Sequence, residues 1–171
     1  MSSTQRSVED WLDNLCDVWK SITLENGTKL KSYRVFSPNE LPSAPIMAVN
    51  APCVASYVDD CEVQISESGH NVLGWYGISE FHITKDVKPS NYREVMLFYR
   101  KILAAAFASY MLTNVATGSG GNGGHFTILQ NTQGAMRFTQ FLNPATGVPD
   151  HQGIVVRWYV HQNVGAGYPL S

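Results

Sequence analysis

Hydrophobic residues recur with a helical period in two separate stretches, and with something close to a strand period between and after them. In the first stretch Val8, Trp11, Leu12, Leu15, Val18, Trp19 and Ile22 share one helical face. Asp13, Asn14, Asp17 and Lys20 fall mostly on the other side. Ser7 is placed as an N-cap with Asp10 three residues on, a pair that satisfies free backbone N–H groups at a helix start. In the second stretch, about 91–112, Tyr92, Val95, Met96, Tyr99, Ile102, Leu103, Ala106, Phe107, Tyr110 and Met111 trace the apolar face, with Ser90 or Asn91 as the cap. Both stripes predict helices that pack on a sheet.

The remaining segments supply the sheet. Asn26-Gly27 marks a turn, and Leu30, Tyr33, Val35 and Phe36 predict a strand after it. Pro38, Pro42, Pro45 and Pro52 exclude a helix from the next stretch and limit any strand to about 46–49. Residues 53–71 show no single clear pattern: 61–65 alternates as a strand would, and 66–71 reads as a loop. Residues 72–87, VLGWYGISEFHITKDV, are the clearest strand region. Residues 113–124 include NVATGSGGNGG, a flexible loop by composition. Strands are predicted at 125–130 and 135–142, joined as a hairpin through the turn-like 131–134, and at 154–162. The order is α+β: a mainly antiparallel β-sheet with two helices packed on it. One domain is predicted over residues 1–171, with a mobile N-terminal end (1–6) and a mobile C-terminal tail (163–171). Surface scaling for 18.9 kDa gives about 70% of the unfolded area buried, enough for a core without staples.

Composition narrows the function. Apolar residues make up 44% and charged residues 15%, where about 25% charged is usual. That excludes a disordered chain and leans toward a subunit that hides part of its outside in an assembly. The net charge of −2 and the spread of the 12 Lys and Arg residues leave no basic field for nucleic acid. No run of 18 apolar residues exists, so no membrane-spanning helix is expected. The first residues lack the apolar core of a signal peptide. Cys16, Cys53 and Cys61 form no CxxC and read as free thiols in a reducing compartment.

The sequence assembles no catalytic constellation. The glycine-rich 118–124 has no Lys and runs from helix to strand, the reverse of a phosphate-binding loop. His70, His82, His125, His151 and His161 make no HExxH or HxH, so no metal site is expected, and His82 and His161 read as hydrogen-bonded histidines on a polar strand face. There is no GxSxG. Asp59 and Asp60 read as a solvated turn or a salt-bridging contact rather than an acid–base pair. No cofactor is expected, and the chain is predicted to act through surfaces, not as an enzyme. A small α+β ligand-binding or enzyme domain is the reading from another class. It would need a polar pocket, for which Trp75, Tyr76, His82, Arg137 and Trp158 are the residues to inspect.

The organisation of residues 7–163 resembles the tail terminator, or tail completion, proteins of long-tailed bacteriophages. The likeness rests on the N-terminal helix, then LPSAPIMAV, then GWYGISEFHITKDV running into NYREVMLFYRKILAAAFASYML, then HFTILQNTQGAMRFTQF and GIVVRWYVHQNV. It implies an α+β subunit of a homo-oligomeric ring, commonly of six copies, at the head-proximal end of the tail tube. Such a ring stops tube polymerisation, binds the tail tube protein on one face and a head-completion or connector protein on the other, and lets DNA pass through its lumen. The implied location is the virion tail at the head–tail junction, after assembly in the host cytoplasm. Related connectors, such as head-completion and stopper rings, are the neighbouring alternative. The expected interface elements are 53–71, 113–124 and the C-terminal tail. Within and beside them the candidate contact residues are Tyr57, Asp59, Asp60, Glu62, Trp75, Tyr76, Gly118, Ser119, Gly120, Asn122 and Tyr168.

Overall fold

A computed structural model describes residues 8–35, 49–64, 71–115, 124–128, 136–143 and 145–164. It is α+β, with two helices on one face of a mixed six-stranded sheet. Helix α1 spans Val8–Lys20. Its inward side chains, Leu12, Leu15, Cys16 and Trp19, are buried, while Asp13, Asp17 and Lys20 are exposed. The Ser21 and Ile22 N–H groups close its last turn on the Val18 and Trp19 carbonyls, the tightened i to i−3 ending that serves orphan carbonyls. The expected turn follows: Asn26 Oδ1 accepts from the Thr28 N–H at 3.1 Å, and Gly27 takes φ +79°, which a side chain would resist.

The strands are β1 (Lys31–Arg34), β2 (Cys53–Gln64), β3 (Asn71–His82), β4 (Gly124–Ile128), β5 (Met136–Leu142) and β6 (Pro149–Val164). β1 pairs in parallel with β2, and every other pairing is antiparallel. β6 is the spine. Its Gly153–Val164 stretch pairs with the whole of β3 along one edge. On its other edge lie β5, opposite residues 149–156, and then β4, opposite residues 158–162. The expected hairpin between β4 and β5 is therefore incorrect. The two strands lie end to end against one long partner, and the hairpin is β5–β6. Its turn has Asn143 N–H on the Val148 carbonyl and Gly147 at φ +67°. A 16-residue strand offers one ladder long enough for both.

Residues 53–64, where only 61–65 shows strand alternation in the sequence, form one internal strand. Cys53, Val54, Ala55, Ser56 and Tyr57 are all buried, on both faces. A doubly buried strand reads as a continuous run, so period two is missing. A bulge between Val58 and Asp60 then shifts the register. The expected strand piece at 46–49 falls on residues outside the described set except Val49, which is helical with Asn50. The expected cap at Ser7 also lies outside it.

The second helix, α2, spans Tyr92–Val115 and follows a 3₁₀ turn at Pro89–Asn91. Asn91 does not cap it. Its side-chain amide turns back to Asp86, and the 3₁₀ turn begins after Lys88 with no side-chain cap. The expected apolar face is rotated as well: Val95, Phe98, Ile102 and Ala105 are buried, whereas Tyr92 and Met96 are exposed. Apolar residues run almost all round this helix, so spacing alone fixes no unique face.

The core between sheet and helices contains Leu12, Trp19, Phe81, Ile102, Ile154 and Trp158. Trp19 meets Phe81 edge-on with ring centroids 5.1 Å apart. A second cluster, Val35, Cys53, Ala55, Tyr57, Ile78 and Val155, occupies the opposite face of the sheet.

Candidate functional site

Register sorts the candidate residues onto two faces. On β3, Trp75, Gly77, Ser79 and Phe81 face the helices, while Tyr76, Ile78, Glu80 and His82 face away. Opposite them, Trp158 and Val156 point inward and Tyr159, Arg157 and Val155 outward. The five residues expected to line one pocket are therefore divided. Trp158 is deep in the helix-covered core and Trp75 lies on the same side, whereas Tyr76, His82 and Arg137 lie on the other. No single pocket can use them all.

The inward face holds a polar node. Trp19 Nε1–H and Trp158 Nε1–H both donate to Ser79 Oγ, at 3.0 and 3.1 Å. Ser79 Oγ also lies 2.8 Å from Ser56 Oγ. With both acceptor positions taken by indoles, Ser79 must donate to Ser56. Gly77 makes this possible: the Trp158 ring lies across it, where a Cβ would fall 2.1 Å from Trp158 Cζ2.

The outward face holds the densest group of titratable side chains, and the sequence reading did not find it. His82 Nδ1 lies 2.6 Å from His151 Nε2, and His151 Nδ1 lies 3.1 Å from Asp150 Oδ2. Both histidines are buried, and Phe141 stacks on His151 at 4.8 Å and tilts over His82 at 4.1 Å. Asp150 accepts, so His151 Nδ1 carries the proton; its bare Nε2 then accepts from His82 Nδ1–H. His82 Nε2 is left without a hydrogen-bond partner, 3.7 Å from Glu80 Oε2. Glu80 Oε1 in turn accepts from the Tyr57 hydroxyl at 3.1 Å.

Burial pushes His82 down to about 3, with the neighbouring His151 adding to it. Burial also lowers His151, against the pull of Asp150. Burial raises Glu80, opposed by the Tyr57 hydrogen bond and by Arg137. The hydrogen bonds form two separate segments, Tyr57–Glu80 and His82–His151–Asp150, with a 3.7 Å gap between Glu80 and His82, and burial keeps both imidazoles neutral near pH 7. His82 was expected on a polar face; it is on a buried one. The available signal was the i, i+2 pair Glu80 and His82 on one strand face, but nothing in the sequence aligns His151 with it.

The other candidate contact residues separate as follows. Tyr57 is buried, which removes it from any surface. Asp59 and Asp60 are exposed at the bulge, and Asp60 Oδ1 accepts from the Cys61 N–H at 2.8 Å. Tyr76 donates to Glu62 at 2.8 Å and leans on Tyr159 with centroids 4.6 Å apart. That bond to the carboxylate is the main reason the Tyr76 hydroxyl is pushed up to about 12. Gly118, Ser119, Gly120, Asn122 and Tyr168 lie outside the described residues. The three cysteines are free thiols, Cys16 and Cys53 buried and Cys61 exposed. Burial drives Cys53 up to about 11 and raises Cys16.

Among the described residues no group of three or more His, Cys, Asp or Glu is arranged to hold a metal. No helix among them is long and apolar enough to cross a membrane. Two surface grooves, one along Lys20–Tyr33 and one between Leu24 and Lys101, are lined by neither His82 nor His151. No protein-family model matches the chain, and no curated protein sequence matches it.

Proposed function

We propose that this chain is a structural virion protein: one subunit of a ring, of six copies, that closes the head-proximal end of a phage tail tube, stops its polymerisation and joins the tail to the head. The likeness of residues 7–163 to tail terminators motivates the reading. The observation that carries it is an exposed apolar stripe beside a sheet edge that is unpaired among the described residues. Tyr92 and Met96 of α2 and Phe138 of β5 are 55%, 41% and 41% exposed. The Phe138 ring sits 5.8 Å from Tyr92 and 5.6 Å from Tyr99, so helix and strand share one aromatic surface. Among the described residues β5 pairs only with β6, which leaves its other edge open.

A monomer gains nothing from such a patch, and a copy of the same chain can cover it. A ring larger than a dimer needs each subunit to offer one patch to a different patch on the next, so this stripe is one half of the contact. A chain of net charge −2 lines a lumen without gripping DNA phosphates.

The test is assembly of the purified chain with tail tubes, followed by sedimentation and negative-stain microscopy. The parent should form rings that cap tubes at one end. Phe138→Glu should stay a folded single subunit, because the side chain it replaces is half in solvent. Parent protein that sediments only as single subunits and leaves tubes uncapped sinks the reading. Rings that bind heads but never tubes would make the chain a head-completion connector instead.

A further inference from the structure

The opposite margin of the sheet has different chemistry. β1 is its edge strand, and beside it the end of α1 forms the second wall of a groove of about 580 Å³. Lys20 and Ser21 line it from the helix side, and Lys29, Lys31 and Tyr33 from the strand side. Lys20 answers Asp17 at 3.2 Å. Lys29 and Lys31 are exposed and have no ion-pair partner among the described residues. Three cations against one carboxylate make this groove electropositive in a chain whose net charge is −2.

The backbone adds a second requirement. The Val35 N–H donates to the Ser56 carbonyl at 2.9 Å, so residues 31, 33 and 35 turn their backbone groups toward β2. By alternation Ser32 turns its N–H and C=O the other way, into the groove. On that side the Leu30 N–H meets the Ile22 carbonyl at 2.9 Å, and among the described residues the ladder stops before Ser32. A ligand that satisfies Ser32 must both accept and donate a hydrogen bond. A phosphate chain only accepts; an extended polypeptide does both.

We propose that this groove binds an acidic, extended polypeptide segment of a partner protein. The segment adds as a strand at Ser32 and sets alternate carboxylates against Lys29, Lys31 and Lys20. The inference does not rest on the ring reading, since it uses the other margin of the sheet.

The test uses the full chain and fluorescence anisotropy with a short labelled peptide of alternating glutamate and threonine. Its controls are the lysine–threonine counterpart, the acidic peptide with an N-methylated backbone, and an oligothymidylate. The acidic peptide should bind and its lysine counterpart should not. The double variant K29E/K31E should weaken binding about tenfold or more by turning attraction into repulsion, with an unchanged melting temperature because both side chains are in solvent. N-methylation should also weaken it. Absence of acidic-peptide binding, binding indifferent to K29E/K31E or to N-methylation, or displacement of the peptide by oligothymidylate would each overturn the proposal, the last in favour of nucleic acid.

Discussion

Replacing Ser79 by alanine removes one oxygen and orphans two indoles. Trp19 and Trp158 are both fully buried and both donate to Ser79 Oγ, so neither N–H can turn to water when the acceptor is lost. Each orphaned buried donor costs about 1–3 kcal/mol, and the lost bond to Ser56 about 1 more. Ser79→Ala should therefore cost about 3–7 kcal/mol, a large share of the roughly 5–15 kcal/mol that holds a domain together. Ser56→Ala is the control: both indoles keep their acceptor and only the Ser79 hydroxyl loses one, at about 1–3 kcal/mol. Urea unfolding followed by circular dichroism, at concentrations where the midpoint does not vary, reads the difference. With a slope of about 2 kcal/mol/M the Ser79→Ala midpoint should fall by at least about 1.5 M. Adding Trp19→Phe should cost less in the Ser79→Ala background than in the parent, because one orphan donor disappears with it. A Ser79→Ala midpoint no lower than that of Ser56→Ala would refute the reasoning, since the two-indole node would then carry no energy.

Acid should loosen the outward face. His82 titrates near 6.5 when unfolded and at about 3 when folded, so the unfolded chain takes the proton first. Its contribution is full above pH 6.5 and is lost between 6.5 and 3, at up to about 1.4 kcal/mol per pH unit. His151 is lowered too and acts in the same direction, while Glu80, raised, regains some stability as pH falls toward its ordinary value. Urea midpoints from pH 7 to pH 5 should fall less steeply in His82→Phe than in the parent, and equal slopes would contradict the assignment. Gly153→Ala should be severe. Its Cβ would lie 1.8 Å from the Phe81 carbonyl oxygen on the neighbouring strand, so β3 and β6 would have to separate. A loss of at least about 3 kcal/mol is expected, and a variant as stable as the parent would mean the two backbones do not approach that closely.

The class of the fold was legible because its signals are local. Helix periodicity found α1 and α2, alternation found β3, and Asn26-Gly27 found the first turn. What failed depended on partners far along the chain. β2 is buried on both faces, so Cys53–Tyr57 lacks the alternation that a one-sided strand shows. β4 and β5 look like two arms of a hairpin until the length of β6 is known. The α2 stripe was ambiguous because Leu97 and Phe98 follow Met96 directly, and only the position of the sheet decides which of them is buried. The candidate chemistry followed the same division. Asp59 and Asp60 are exposed at the β2 bulge, whereas Glu62 and Tyr76 are half-buried and bonded to each other across two strands. The His82–His151 contact, 69 positions apart in sequence, had no local signature.

The placement of buried chemistry bears on where this protein can meet others. At the His82 end both faces of the sheet are occupied, inward by the indole node and outward by imidazoles, Tyr57 and Phe141. The two surface grooves described above do not reach these titratable groups. The two margins of the sheet are unlike. The β5 margin carries aromatic surface continuous with α2. The β1 margin carries unpaired lysines and a backbone turned outward at Ser32. Edges of such different chemistry favour different partners, an aromatic edge being covered by apolar surface and a lysine-bearing edge by acidic groups. Under the proposed ring reading the β5 edge meets the next copy, and the β1 edge stays open to an acidic segment.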